Sequence, residues 1–518
     1  MFFQRNAGPR SPLKVHLLAL ILVIATSGAL LLILSGGLPD RRTMALLLGV
    51  LVLTPALIRW QLGWSALFLT VPWIAWFRRV QTEINPGVEL ISGFDWLLVM
   101  PDMLTAAALM GYVFTQRLRP KIDPVPGEKA LLALLTAFIV WCIFEIFNPW
   151  MGSIAAGLNG LRVFTLYMGL YWLTAYVCQE EHRVYGWLRV TLIMVALTGL
   201  YGIYQFVVGL PEYDMRWAEA SKASAQMIGE NIRIFSTFSF TSTFSHFMVV
   251  GALMAWGVLG LRRVSRLVVL LAPLIGGIAL LALALTFVRS AFVALFVSGV
   301  AGLLLSAGPQ KRLTRLILLA TFASLLLLLN PGSSGDVAQI ERAAPENAAV
   351  SELVTDRVLS IAQGTGNSSV NYRLGLWRTQ FEFITLTAPM GLGMGVGAGQ
   401  RFGGNGFAAS MAYTESQYVT QLVELGWIGF LLFLALTLYA LVYTLRVHDS
   451  LEDRDHRLVV RIAFMVQVAL LITGITGGAV LSVQPGAIYY WSAMGLVTAV
   501  ARNAQKRRLD SSLPAPSV

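Results

Sequence analysis

Charge and cysteine are both scarce in this chain of 518 residues. Only 13% are Asp, Glu, Lys or Arg, against 56% hydrophobic. A soluble domain carries about twice that share of charge, so a soluble globular class is excluded and the chain reads as a polytopic membrane protein. The two cysteines, Cys142 and Cys178, lie in or beside apolar runs. They could pair once, but they read more simply as small core residues, with no redox chemistry implied. Outside the apolar runs no His, Asp and Glu cluster at ligand spacing, so neither a metal nor a cofactor is expected. No A-x-A-like site follows the first apolar run, Val15 to Leu34, which therefore reads as a retained helix rather than a signal peptide. The net charge of +11 would suggest nucleic acid in a soluble protein. In a membrane protein it reflects cytoplasmic loops that fix topology, and no nucleic-acid partner is expected.

What the sequence has in abundance is apolar runs. Since a spanning helix takes about 20 apolar residues, the runs predict an all-α bundle of about fourteen transmembrane helices. They fall near 15–35, 44–59, 62–77, 95–114, 129–148, 161–178, 185–209, 237–261, 267–287, 289–307, 313–330, 417–445, 459–482 and 486–502. The second and third are separated by only a few residues around Arg59 and Gln61, and read as a tight hairpin or a partly re-entrant element. Basic clusters then orient the bundle: Arg117, Arg119, Lys121; Arg262, Arg263, Arg266; Arg446, Arg454, Arg457, Arg461; and Arg502, Lys506, Arg507, Arg508. Placed inside by the positive-inside bias, they put both termini in the cytoplasm. The expected division is a cytoplasmic N-terminus at 1–14, helices 1–11 within 15–330 with a small outer loop at 210–236, a large outer loop at 331–416, helices 12–14 within 417–502, and a cytoplasmic tail at 503–518. A loop as long as 331–416 is usually functional or disordered.

Arginines left on the outer side are the informative ones. Arg233 precedes a span in "NIRIFSTFSF", and Arg289 stands nearly alone among apolar residues in "LTFVRSAFVAL". An ionisable group so placed is a functional candidate; the plain alternative is an arginine snorkelling to lipid headgroups. Residues 371–386, with Leu374, Trp377, Phe381 and Ile384 on one stripe, read as an amphipathic helix. On it Arg378 and Glu382 are spaced for a solvated i,i+4 pair, whereas Arg373 has no such partner. Arg401 reads as a surface residue. Arginines at a membrane edge match the oxygens of a lipid-linked phosphate or pyrophosphate. Gly391, Gly393 and Gly395 in "PMGLGMGVGAGQRFGGNG" lack the βαβ context of a dinucleotide fingerprint. They read either as a backbone that turns sharply or nears a ligand, or as a flexible connector. Glu415 comes just before the apolar helix that starts at Gln417. There it is either an anion favoured by the helix dipole or a general base.

"TFVRSA", "NYRLGLWRTQFEFITLTAPMGLGMGVG" and "ESQYVTQLVELGWIG", in this order, resemble the O-antigen ligase/polymerase family of Wzy and WaaL types, as do "GIYQF" and "RIFSTFSFTSTFSHF" before them. The resemblance runs from about Arg233 to Gly429. It implies a GT-C-like membrane glycosyltransferase of the bacterial inner membrane, with its site on the periplasmic face. Its pyrophosphate-binding arginines fall on Arg289 and Arg373, with Arg233 as a further candidate. Glu415 takes the family's histidine position and would act as base, and Ser416 takes the adjoining asparagine position. Arg378, Ser416, Gly391, Gly393 and Gly395 join Arg233 as candidate substrate-binding residues. Glu424 and Gly426 match a Glu-x-Gly that reads as helix packing. The implied reaction is metal-independent and inverting, on undecaprenyl-pyrophosphate-linked repeat units, with a chain-length regulator and a flippase as implied partners. The missing histidine argues for a polymerase over a ligase. From another class, Asp95, Asp102 and Glu145 near span ends would suit a flippase or secondary transporter, although the two halves show no repeat. Asp102 after Pro101 reads as capping a helix break, and His246 as a satisfied core residue. A scaffold subunit would leave the outward arginines unexplained.

This topology predicts that a reporter fused after Val518 is active only when kept in the cytoplasm. A reporter inserted within 331–367 should be active only when exported. The reverse pattern at either position would overturn the orientation.

Overall fold

The computed structural model describes residues 59–84, 96–116, 124–220, 227–228, 231–306, 368–399, 404–412, 414–477 and 480–512. The expected spans 15–35 and 313–330, all of 44–59 but Arg59, residues 331–367, Asp95 and Arg401 lie outside the described residues. The rest is α-helical, apart from one two-residue antiparallel ladder, Met227–Ile228 with Asn231–Ile232.

In chain order the helices are α1 (Trp60–Thr70), α2 (Ile74–Ile84), α3 (Trp96–Gln116), α4 (Glu128–Phe144), α5 (Ile154–Thr165), α6 (Leu170–Val177), α7 (Glu181–Val208) and α8 (Glu212–Ala220). There follow α9 (Thr241–Val258), α10 (Arg266–Leu285), α11 (Arg289–Leu305), α12 (Ser368–Leu386), α13 (Val396–Gly399), α14 (Gly406–Met411), α15 (Gln417–Ser450), α16 (Arg454–Thr476) and α17 (Gly486–Ser512). Among the described residues five helical stretches are long and apolar enough to cross a membrane: Glu128–Phe147, Glu181–Val208, Arg266–Leu285, Gln417–Ser450 and Arg454–Thr476. Side chains such as Leu270 and Val207, each 74% exposed, face outward from them. Large apolar groups on the outside of a bundle belong against lipid, and the protein is membrane-embedded.

The region of the expected third span is a helix broken in the middle. Pro72 lies in a 3-10 turn, Val71–Trp73, between α1 and α2, because proline cannot donate the helical hydrogen bond. Caps set other starts: Ser153 accepts from Ala156 N–H, and Asp453 from His456 N–H. Both cysteines are buried and unpaired.

One end of the bundle is rich in arginine. There Arg263 bonds Glu181 and Asp453 at 2.5 and 2.6 Å, Arg502 bonds Glu128 at 2.5 Å, and Arg461 bonds Ser306 Oγ at 2.7 Å. These contacts gather the starts of α4, α7 and α16 with the ends of α11 and α17, so the spans alternate in direction. The core between them is closed by aromatic residues: Trp187, Tyr489 and Phe247 are buried, with Tyr489 5.5 Å from Phe247 ring to ring.

At the opposite end α15 is not a plain helix. Gly426 has φ +64° and ψ −169°, which interrupts the ladder. Away from water each freed backbone group needs a partner, and neighbouring segments supply them. Leu392 N–H donates to Val423 O at 2.9 Å, Gly393 N–H to Glu424 O at 3.0 Å, and Trp427 N–H to Pro389 O at 3.0 Å. Trp141 Nε1 donates to Leu425 O at 3.0 Å. A Cβ on Gly426 would lie 2.2 Å from the Met390 carbonyl carbon. Gly426→Ala is therefore expected to cost at least about 1–3 kcal/mol through strained backbone and overpacking. A thermal melt of the purified protein unchanged from wild type would count against this account of the kink.

Candidate functional site

Three non-glycine residues among those described have positive φ: Ser236 at 53°, Phe287 at 54° and Glu415 at 51°. Such backbone is costly for L-residues and concentrates at functional sites. Each lies at, or within three positions of, a candidate named from sequence: Arg233, Arg289 and Glu415.

Glu415 sits in the turn before α15, and its Oε2 accepts from Arg373 Nε on α12 at 2.6 Å. The two side chains are 33% and 29% exposed. The pair is thus partly shielded yet reachable by a ligand. α12 also grips the backbone around the turn: Trp377 Nε1 donates to Thr414 O at 2.6 Å and Gln380 Nε2 to Met411 O at 2.8 Å. Residues 373, 377 and 380 share one face of α12, since their spacing follows the helical period. Thr414 Oγ1 accepts from Ser416 N–H at 3.2 Å, closing the turn from the other side.

Arg233 Nε donates to Thr286 O at 2.9 Å, in the turn that leads to Arg289. Arg289 is the first residue of α11, half-buried beside Phe287. α11 and α16 run antiparallel, with Gly302 against Met465 and Ser306 bonded to Arg461, so Arg289 is level with the end of α16. Gln417, at the start of α15, packs against Gly474 in that same final turn. Both arginine groups therefore lie at one end of the bundle, opposite the arginine-rich end.

The other candidates behave differently. Arg378 pairs with Glu382 at 2.9 Å and is 82% exposed, as its i,i+4 spacing suggests. Ser416 is buried at the N-cap of α15, but its side chain makes no cap bond. Gly391, Gly393 and Gly395 all have positive φ, and their N–H groups are taken up inside the protein. Gly391 donates to Ala388 O, Gly393 to Glu424 O, and Gly395 to Glu424 Oε2 at 2.9 Å. A Cβ on Gly395 would lie 2.2 Å from Gly160 Cα. The close approach that these glycines allow is thus to α5 and the kinked α15. These turns and contacts make the glycine stretch a splint across the kink of α15. Buried Glu424 is its centre, because Oε1 also accepts from Gly397 N–H at 3.3 Å.

Two acids weighed as transport groups have local partners. Asp102 accepts from Arg162 at 2.7 Å and Tyr167 at 2.6 Å, in a half-buried ion pair. Glu145 accepts from Asn148 at 2.7 Å, and Asn148 also reaches Gly391 O at 3.1 Å. His246 is buried as expected, and its Nε2 has no hydrogen-bond partner among the described residues. No group of His, Cys, Asp or Glu suited to a metal occurs among the described residues.

Reading the sequence missed the device that holds Arg233. Fully buried Arg79 bonds Asp214 Oδ1, Phe238 O and Ser236 O, each at 2.6 Å. Asp214 also accepts from Tyr201 and Gln205 at 2.7 Å, and Gln205 Oε1 accepts from Ser236 N–H at 2.7 Å. This network fixes the left-handed Ser236 three residues after Arg233. The available signal was Gln205 in "GIYQF" together with Arg79 at the close of a span. Nothing in the spacing joins them to Asp214.

Residues 274–434 match a family model described as O-antigen ligase. The match takes in Arg289, Arg373, the glycines and Glu415, and leaves Arg233 outside. No curated protein matches the chain.

Removing Arg79 would leave Asp214 buried without its cation, a loss of about 3–5 kcal/mol for a buried pair. Arg79→Met is expected to lower the melting temperature markedly. Arg79→Met with Asp214→Asn should lower it less. Equal loss in both variants would show that the ion pair is not what stabilises this corner.

Proposed function

From the match of residues 274–434 to a family model described as O-antigen ligase, we propose that the chain is a membrane glycosyltransferase that polymerises lipid-linked glycan repeat units. The observation that carries this reading is the Arg373–Glu415 contact, formed on a left-handed Glu415. It brings together two residues 42 positions apart in sequence, one suited to phosphate and one to a proton.

In the proposed reaction an acceptor hydroxyl of one repeat unit attacks the anomeric carbon of a second. The new C–O bond forms as the bond from that carbon to the pyrophosphate oxygen breaks, with inversion. The pyrophosphate leaves with the electron pair and the proton passes to Glu415. Arg373, Arg289 and Arg233 neutralise the departing charge, because guanidinium matches phosphate oxygens and preorganised cations stabilise a developing anion. The donor is an undecaprenyl-pyrophosphate-linked glycan. Exposed Arg378 lines the approach, buried Ser416 supports the turn from the N-cap of α15, and Gly391, Gly393 and Gly395 contribute through the shape of their loop.

The proposal places about fourteen spans of GT-C-like architecture in the bacterial inner membrane, on the hydropathy argument. Both termini are cytoplasmic and 331–416 periplasmic, with a flippase supplying substrate and a chain-length regulator as partner. A ligase, which would pass finished polymer to another acceptor, is the second reading. The description of the matched family favours it. The glutamate at the family's histidine position favours the polymerase.

The test uses cells lacking this gene, complemented with wild type, Glu415→Gln, Arg373→Ala or Arg289→Ala. At equal membrane abundance each variant is expected to lose about 100-fold or more of its activity, the usual scale for a general base or charge stabiliser. Single repeat units should then accumulate on the lipid carrier. Full-length polymer on the carrier would identify a ligase. Normal polymer from all three variants would defeat the assignment.

A further inference from the structure

Glu415 has a backbone that its own residue type disfavours, so something must hold it there. Three contacts surround the turn, and all come from one face of α12. Arg373 takes the carboxylate, Trp377 takes the carbonyl of the preceding residue, and Gln380 takes the carbonyl of Met411, the last residue of α14. Gln380 is fully buried and Met411 half-buried, so their bond is partly shielded from water, and losing the partner of a buried amide is costly. α12 itself is anchored lower down: Ile384 is buried in a cluster with Leu422 and Val423, and Phe381 meets Trp427 edge-on at 5.3 Å. The helix is thus fixed against α15 at one end and braces the Glu415 turn along its length.

We propose that Trp377 and Gln380 are positioning residues that hold Glu415 in its left-handed turn and set the carboxylate against Arg373. The proposal rests on the reading of Glu415 as the proton acceptor and goes beyond it by assigning that geometry to two residues that act through the Glu415 turn. Misplacing a catalytic group by an ångström can cost about 100-fold in rate, so the loss belongs in kcat.

The experiment uses the purified full chain in lipid nanodiscs and lipid-linked repeat units extracted from the deletion strain. Trp377→Phe keeps a ring and removes the N–H. Gln380→Met keeps length and removes the donor. Each is expected to lower kcat about 10- to 100-fold with KM changed less than about twofold, the signature of lost transition-state stabilisation. In a Glu415→Gln background neither substitution should lower the residual rate further, because a residue acting through Glu415 has nothing left to position. Folded yield and melting temperature are measured for every variant, and should Trp377→Phe not fold, Gln380→Met decides alone. Wild-type kcat in the folded variants, or full additive loss on top of Glu415→Gln, overturns the positioning role while leaving the base intact. Wild-type activity in Glu415→Gln overturns the base, and the positioning role falls with it.

Discussion

A helix that breaks inside an apolar environment must find partners for the backbone groups it frees, and α15 breaks at Gly426. The surrounding architecture is arranged around that requirement. The carbonyls of Val423, Glu424 and Leu425 and the N–H of Trp427 are met by Leu392, Gly393, Trp141 and Pro389. The glycine-rich loop can come this close because it lacks side chains where it crosses Gly160 and Gly426. Glu424 completes the joint by accepting from Gly395 and Gly397. Once the loop is pinned there, α12 is held beside α15, and its opposite end comes to rest against the turn at Glu415.

The joint explains how a polar constellation survives at the edge of an apolar bundle. Arg373 and Glu415 sit on separate segments, and their contact depends on both being anchored below. Arg233 depends on a second anchor of different chemistry, in which the buried Arg79–Asp214 pair and Gln205 lock the turn at Ser236. Both anchors end in a left-handed non-glycine residue, as does the turn before Arg289. Strain of this kind persists only where the surroundings over-determine it. Its coincidence with the three candidate groups links the packing to the proposed chemistry.

Much of the bundle was legible because long apolar runs can satisfy their backbone only as helices. The expected spans within the described residues fall on helical segments, five of them long and apolar enough to cross a membrane and the third broken in the middle, and the ion pair Arg378–Glu382 follows from i,i+4 spacing alone. The break at Pro72 was not legible: the ambiguity at the third span came from the short gap around Arg59 and Gln61. The site was legible only in part. Arg289 and Glu415 stood out as charges in apolar or terminal positions, and each lies beside or within strained backbone, while Arg373, in the regular helix α12, meets that strain only through its contact with Glu415. The glycines read as a backbone that turns sharply or nears a ligand, or as a flexible connector; the sharp turns are present, and their N–H groups serve Ala388 and Glu424. A periodic pattern records which residues are small, not which segment they let in.

The sequence by itself determined a membrane-embedded α-helical chain, the alternation of its spans, and the residue types from which a phosphate and proton site could be built. These follow from local chemistry: hydropathy, helical period and the charge of single side chains. Only the tertiary structure decided that Arg373 meets Glu415, that Arg79 is buried against Asp214, and that the glycine loop splints Gly426. Those pairings join segments far apart in the chain. They depend on which surfaces pack together, and no local preference records that.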